Sequence, residues 1–138
     1  MEREPRSVLS GLLILLGAWE VFTGVNWITR PTPSRVAGVA WMDLPITEST
    51  IGWALVIGGI LTLGGGLLSR WKTLENIGTA LGIAVPLLCA APFVGAFFES
   101  GEPARLQTVA SYSVYSLGIA WVASRRVVTL PPHKDGDR

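Results

Sequence analysis

Charge is scarce in this chain. Asp, Glu, Lys and Arg make up 15% of 138 residues, where a soluble domain carries about 25%. The shortage is uneven, because four long stretches lack charge almost entirely, which excludes a soluble globular enzyme and a disordered chain. A net charge of +1 offers no basic field and excludes a nucleic-acid binder. The single cysteine, Cys89, excludes a disulfide framework and a cysteine metal cluster. It sits in apolar surroundings and reads as a small core residue. The single histidine, His133, stands alone in a polar tail, so no metal site is expected. No nucleophile–base set, phosphate loop or metal spacing occurs. Neither an enzyme nor a cofactor is therefore expected.

What the chain has is apolar length, with 49% hydrophobic residues and a mean hydropathy of +0.46. The apolar runs are Val8–Ile28, Ile51–Ser69, Leu74–Phe98 and Ala104–Ser124. Each approaches the roughly 20 residues a helix needs to cross about 30 Å of hydrocarbon. An open sheet would strand its backbone polar groups in lipid, and barrel strands would be shorter and strictly alternating. The expected fold is all-α: one integral membrane domain over 1–138, a four-helix transmembrane bundle with a mobile tail at 125–138. The first run follows a mixed-charge start, MEREPR, without a small-residue cleavage site before a soluble domain. It reads as a retained helix and not a signal peptide.

Ser49 and Thr50 can cap the second span and Thr73 the third, while Pro103 suits the first turn of the fourth. Pro86 and Pro92 inside the third span predict a kink. Orientation follows from Lys and Arg. Arg3, Arg6, Arg70, Lys72, Arg125, Arg126, Lys134 and Arg138 fall on one side; Arg30, Arg35 and Arg105 fall on the other. The basic side faces the cytoplasm, with both termini. Trp27, Trp53, Trp71 and Trp121 stand near span ends as interface anchors. The short connection at 70–73 predicts an antiparallel pair of spans. In the outer loop, Ser34–Leu44 is weakly amphipathic, either an interfacial helix with Trp41 in the headgroups or an ordinary loop.

Glu20 is the most informative residue. At 1.5 Å per residue it lies about 18 Å from Val8 and about 12 Å from Ile28. A carboxyl at that depth must face protein or water. Gly17, Thr23 and Gly24 share its face and leave a groove for another helix. Ser111, Tyr112 and Tyr115 lie at matching depth in the fourth span, within the polar run TVASYSVYS. The expected buried polar site is therefore Glu20 with Ser111, Tyr112 and Tyr115. Glu20 then either carries a proton or cation, or fixes helix register. The run itself serves as interhelical glue or lines a pore, with Thr108 on the same side. Gly58, Gly59, Gly78 and Gly82, with Gly64, Gly65 and Gly66, allow tight packing within one copy or between copies.

Two resemblances accompany these residues. AWEVFTG, with one Glu in the first of four short spans, resembles the small multidrug resistance transporters. That family's aromatic third-span signature is missing, and the basic bias departs from its dual topology. The whole-chain layout is similar to a loose class of small four-span phage and prophage membrane proteins. It has a Gly-rich first span, an outer loop with WMDLP and ITESTIGW, an RWKTLENIG turn and a last span ending at Arg125-Arg126. That resemblance implies a holin-like protein that self-associates and permeabilises the membrane, or a superinfection-exclusion effector acting through a protein partner. A small proton- or cation-coupled transporter using Glu20 is the third reading. The expected location is the cytoplasmic membrane of a bacterial cell. The expected partners are the lipid bilayer and a second copy or another membrane protein.

Overall fold

The computed structural model describes residues 8–40 and 45–125. Helices account for nearly all of them: α1 Val8–Thr29, α2 Pro33–Ala40, α3 Glu48–Leu67, α4 Lys72–Ser100 and α5 Pro103–Ser124. No strand occurs among the described residues. Trp41, Leu44, His133 and the tail from Arg126 onward lie outside them, as do Arg3 and Arg6.

Three helices, α1, α3 and α4, are long and apolar enough to cross a membrane. α5 matches α1 in length at 22 residues. Arg105, Gln107, Thr108 and the Ser and Tyr residues of 111–116 make it more polar than the other three.

Sequence chemistry sets the ends. Thr47 caps α3 through a reciprocal box with Thr50, so the cap falls earlier than the expected Ser49 or Thr50. Trp71 stands at the α4 cap position without a side-chain bond, and Thr73 lies inside the helix. α4 stops at Gly101, whose φ of +65° is left-handed and suits only glycine well. Its N–H closes on the Phe97 carbonyl at 2.8 Å. Pro103 then opens α5 in its first turn. Arg105 ties this corner, bonding Glu102 Oε2 at 2.9 Å and the Ala96 carbonyl at 2.8 Å. Pro86 and Pro92 are both buried within a continuous α4.

α1, α3, α4 and α5 pack as a bundle, each antiparallel to the next along that order, and α1 meets α3 most extensively. The reason is glycine. A Cβ on Gly24 would lie 2.6 Å from the Gly52 carbonyl oxygen, and one on Gly59 2.7 Å from that of Gly17. The two backbones touch, as small residues permit in membrane helices. Two turns further, Ser10 Oγ donates to the Gly66 carbonyl at 2.6 Å. The α3–α4 seam closes likewise at Gly65 and Gly78, and Gly58 receives Val85.

α2 leans on the bundle at the end where α1 finishes. Val39 is buried, and Gly38 lies against the Phe93 ring. Trp27 belongs to the same cluster, edge-on to Phe93 with centroids 5.6 Å apart. At 2% exposure it is a core residue and not the expected interface anchor. The reason is that the Phe93 ring of α4 meets the indole edge-on and the Arg35 guanidinium of α2 lies over its face. Trp53, Trp71 and Trp121 are exposed, as lipid-interface anchors need to be.

Candidate functional site: a buried carboxyl beneath a polar pocket

Glu20 is fully buried. Its place follows from the glycine face that α1 turns to α3. Gly59 lies directly against the Glu20 Cβ, so α3 comes close enough to cover the carboxyl. One turn along α3, Thr62 is also fully buried, and its hydroxyl donates to Glu20 Oε2 at 3.4 Å. Glu20 Oε1 has no hydrogen-bond partner. Thr62 also faces Gly82 of α4, whose neighbour across the next seam is Ile119 of α5. The carboxyl therefore sits at a level to which all four long helices contribute.

The expected partners of Glu20 are placed differently. Ser111 is exposed and spends its proton on the Gln107 carbonyl of its own helix at 2.8 Å. Tyr112 and Tyr115 do reach α1, but they meet Trp19. Tyr115 stacks on that indole with centroids 4.2 Å apart, and Tyr112 meets it edge-on at 5.7 Å. The partner of Glu20 is thus α3 and not α5. The glycine face of α1 admits whichever helix can approach most closely, and α3 carries glycine at the matching turns. Tyr112 and Tyr115 remain within electrostatic reach of the carboxyl, as does Cys89.

Of the packing glycines, Gly17, Gly24 and Gly59 serve the α1–α3 seam. Gly58 and Gly78 serve α3–α4, and Gly82 meets both Thr62 and Ile119. Each is filled by a neighbour in the same copy. Gly11, Gly64 and Gly118 have open space instead.

Above the carboxyl, toward the end that carries α2, a cavity of about 250 Å³ opens between α1, α2 and α5. Trp19, Thr23, Asn26, Trp27, Arg35, Thr108, Ser111 and Tyr112 line it. Arg35 lies over the Trp27 ring, its guanidinium carbon 5.0 Å from the centroid. Thr108 and Ser111 are therefore brought to one wall, as a polar face of the fourth run predicts, while Tyr115 is turned away onto Trp19.

Several polar residues escaped the sequence reading. Thr62 was legible in principle, since it continues the face of Gly58, Gly59, Gly65 and Gly66 at helical spacing. Ser116, by contrast, belongs to the run TVASYSVYS read as interhelical glue or a pore lining, and it bonds the Ile83 carbonyl of α4 at 3.0 Å. Glu75 is buried near the opposite end and pairs with Lys72 at 3.2 Å. Arg35 had counted only toward orientation, because nothing in the sequence tells that its guanidinium lies over Trp27. Among the described residues, no group of His, Cys, Asp and Glu could hold a metal ion. No protein-family model, curated protein or solved structure matches the chain.

Proposed function

We propose that the chain is a non-enzymatic four-pass protein of a bacterial cytoplasmic membrane, both termini cytoplasmic, that passes protons or cations by way of Glu20. One observation carries this reading. Glu20 is fully buried deep in α1, takes a single long hydrogen bond from Thr62, and leaves Oε1 unpartnered. A carboxyl kept only to fix register is expected to have both oxygens satisfied, since an unpaired buried polar atom costs about 1–3 kcal/mol. A carboxyl that takes up and releases a proton needs a free lone pair. The polar cavity, lined by Trp19 and Thr23 on either side of Glu20 along α1, lies toward one end and would be the approach.

The phage-type, holin-like reading draws on a different observation. The open faces of Gly11 and Gly118 leave room for a second copy. Most other helix-packing glycines are already used inside one copy, which favours a conduit within a single bundle.

Reconstitution separates the two. Purified protein in vesicles loaded with a pH-sensitive dye, under an imposed membrane potential, should admit protons. Glu20→Gln should reduce that flux at least tenfold without loss of helical content. Equal flux in the variant rejects the Glu20 conduit. Abrupt growth arrest with release of a co-expressed endolysin, unaffected by Glu20→Gln, would establish the holin-like function instead.

A further inference from the structure

The cavity beneath α2 has a composition that the passage of protons alone does not require. Arg35 is half-buried in its wall. Among the described residues, no carboxylate pairs with Arg35; the ion pairs seen are Lys72–Glu75 and Arg105–Glu102. One guanidinium N–H reaches the Arg30 carbonyl at 3.3 Å, and the others remain available. The Thr23 hydroxyl and the Asn26 amide line the same space, with no side-chain hydrogen bond to either among the described residues. The Tyr112 phenol lines the cavity as well. Free donors and one uncompensated cation in a recess between low-dielectric walls make an attractive place for an oxyanion, and a planar guanidinium suits a carboxylate best. The indoles of Trp19 and Trp27 add flat apolar area for a small organic body beside the charged group.

We propose that this cavity binds a small organic carboxylate, held by Arg35, Asn26 and Thr23. The assignment rests on the Glu20 conduit and narrows it to protons accompanying an anion: the guanidinium at the approach repels other cations, and an anion held here has a protonatable group behind it. The same oxyanion chemistry is carried by the headgroup of an anionic lipid, so the two sources must be told apart.

The probe is sodium benzoate, titrated calorimetrically into the full chain in lipid-free detergent micelles. Saturable binding is expected, weakened at least tenfold by Arg35→Gln and unchanged by Arg30→Gln, which removes a cation outside the cavity. Arg35 also covers Trp27, so its loss can disturb folding. Ser111→Leu provides the independent variant. Ser111 is exposed and bonded only within its own helix, and the added bulk narrows the cavity. It should weaken benzoate at least fivefold. No saturable binding, or binding indifferent to both Arg35→Gln and Ser111→Leu, overturns the proposal. In nanodiscs, benzoate affinity unchanged by added phosphatidylglycerol assigns the site to a free carboxylate. Loss of benzoate binding with that lipid, but not with phosphatidylcholine, assigns it to a headgroup and overturns the free-carboxylate version. The two readings fail separately. Proton flux lost in Glu20→Gln with no benzoate binding leaves the conduit and removes the anion site. Normal benzoate binding with flux indifferent to Glu20→Gln does the reverse.

Discussion

Thr62 and Glu20 form a pair across the α1–α3 seam, and the energetics of such a pair can be separated by substitution. Removing the hydroxyl alone by Thr62→Val leaves the carboxyl with neither oxygen bonded, at a cost of about 1–3 kcal/mol. Glu20→Gln should cost less than Glu20→Leu, because the amide oxygen still accepts from Thr62 while its NH2 takes the place of the unpartnered Oε1. Glu20→Leu should be the worst, since it strands the Thr62 hydroxyl and brings a branched chain against Gly59. The double variant Glu20→Leu/Thr62→Val should recover part of that loss, because no unpaired polar atom remains. Thermal unfolding in detergent reads all four. Strictly additive losses in the double variant would mean that the two residues are not coupled. Glu20 itself was legible in the sequence, as a lone carboxyl deep in an apolar run with glycine on its face. Its partner was misplaced because depth was matched without regard to backbone approach. Ser111 and Tyr112 had the right height, but Thr62 had the glycines beside it.

Helices in this protein are joined less by side chains than by their absence. Adding a methyl to Gly17 drives it into the backbone of Leu63 and the Gly59 carbonyl. Backbone cannot rotate aside as a flexible side chain can, so α1 and α3 must part. Gly17→Ala and Gly59→Ala should each destabilise the bundle by about 1–3 kcal/mol. Gly11→Ala and Gly118→Ala meet open space and should gain up to about 1 kcal/mol from helix propensity. Unfolding midpoints of the four variants should fall into these two groups, and a uniform response would show that the seams do not set stability. The helices themselves were visible as apolar runs, and their ends fell within a few residues of the expected spans. Which seam each glycine serves was not visible. Gly58 and Gly59 are adjacent in sequence yet face α4 and α1 respectively, a distinction that depends on the rotation of α3 about its axis. Trp27 shows the same limit: its place near a span end suggested an anchor, and only the approach of Phe93 and Arg35 makes it core.

For the molecule as a whole, the basic residues provide the test of orientation. Reporters fused after Arg138 and inserted at Pro33 should report opposite compartments, the first cytoplasmic. A shared compartment would remove the crossing that α5 must make and leave a three-span protein. The all-helical architecture was plain from composition. The order of neighbours was not, because α1 and α3 are separated by the segment that holds α2 and yet form the closest pair. That separation matters for synthesis as well as for stability. Thr62 follows Glu20 by 42 residues. At about 5–20 residues per second, translation reaches it some 2–8 s after the carboxyl has been made. Over that interval α1 has no α3 to fill its glycine groove or satisfy its acid, so the nascent first helix depends on the insertion machinery, water or headgroups for shelter. A ribosome paused in the α2 segment would hold the chain at its most vulnerable stage, and resuming through Gly59 and Thr62 would end it.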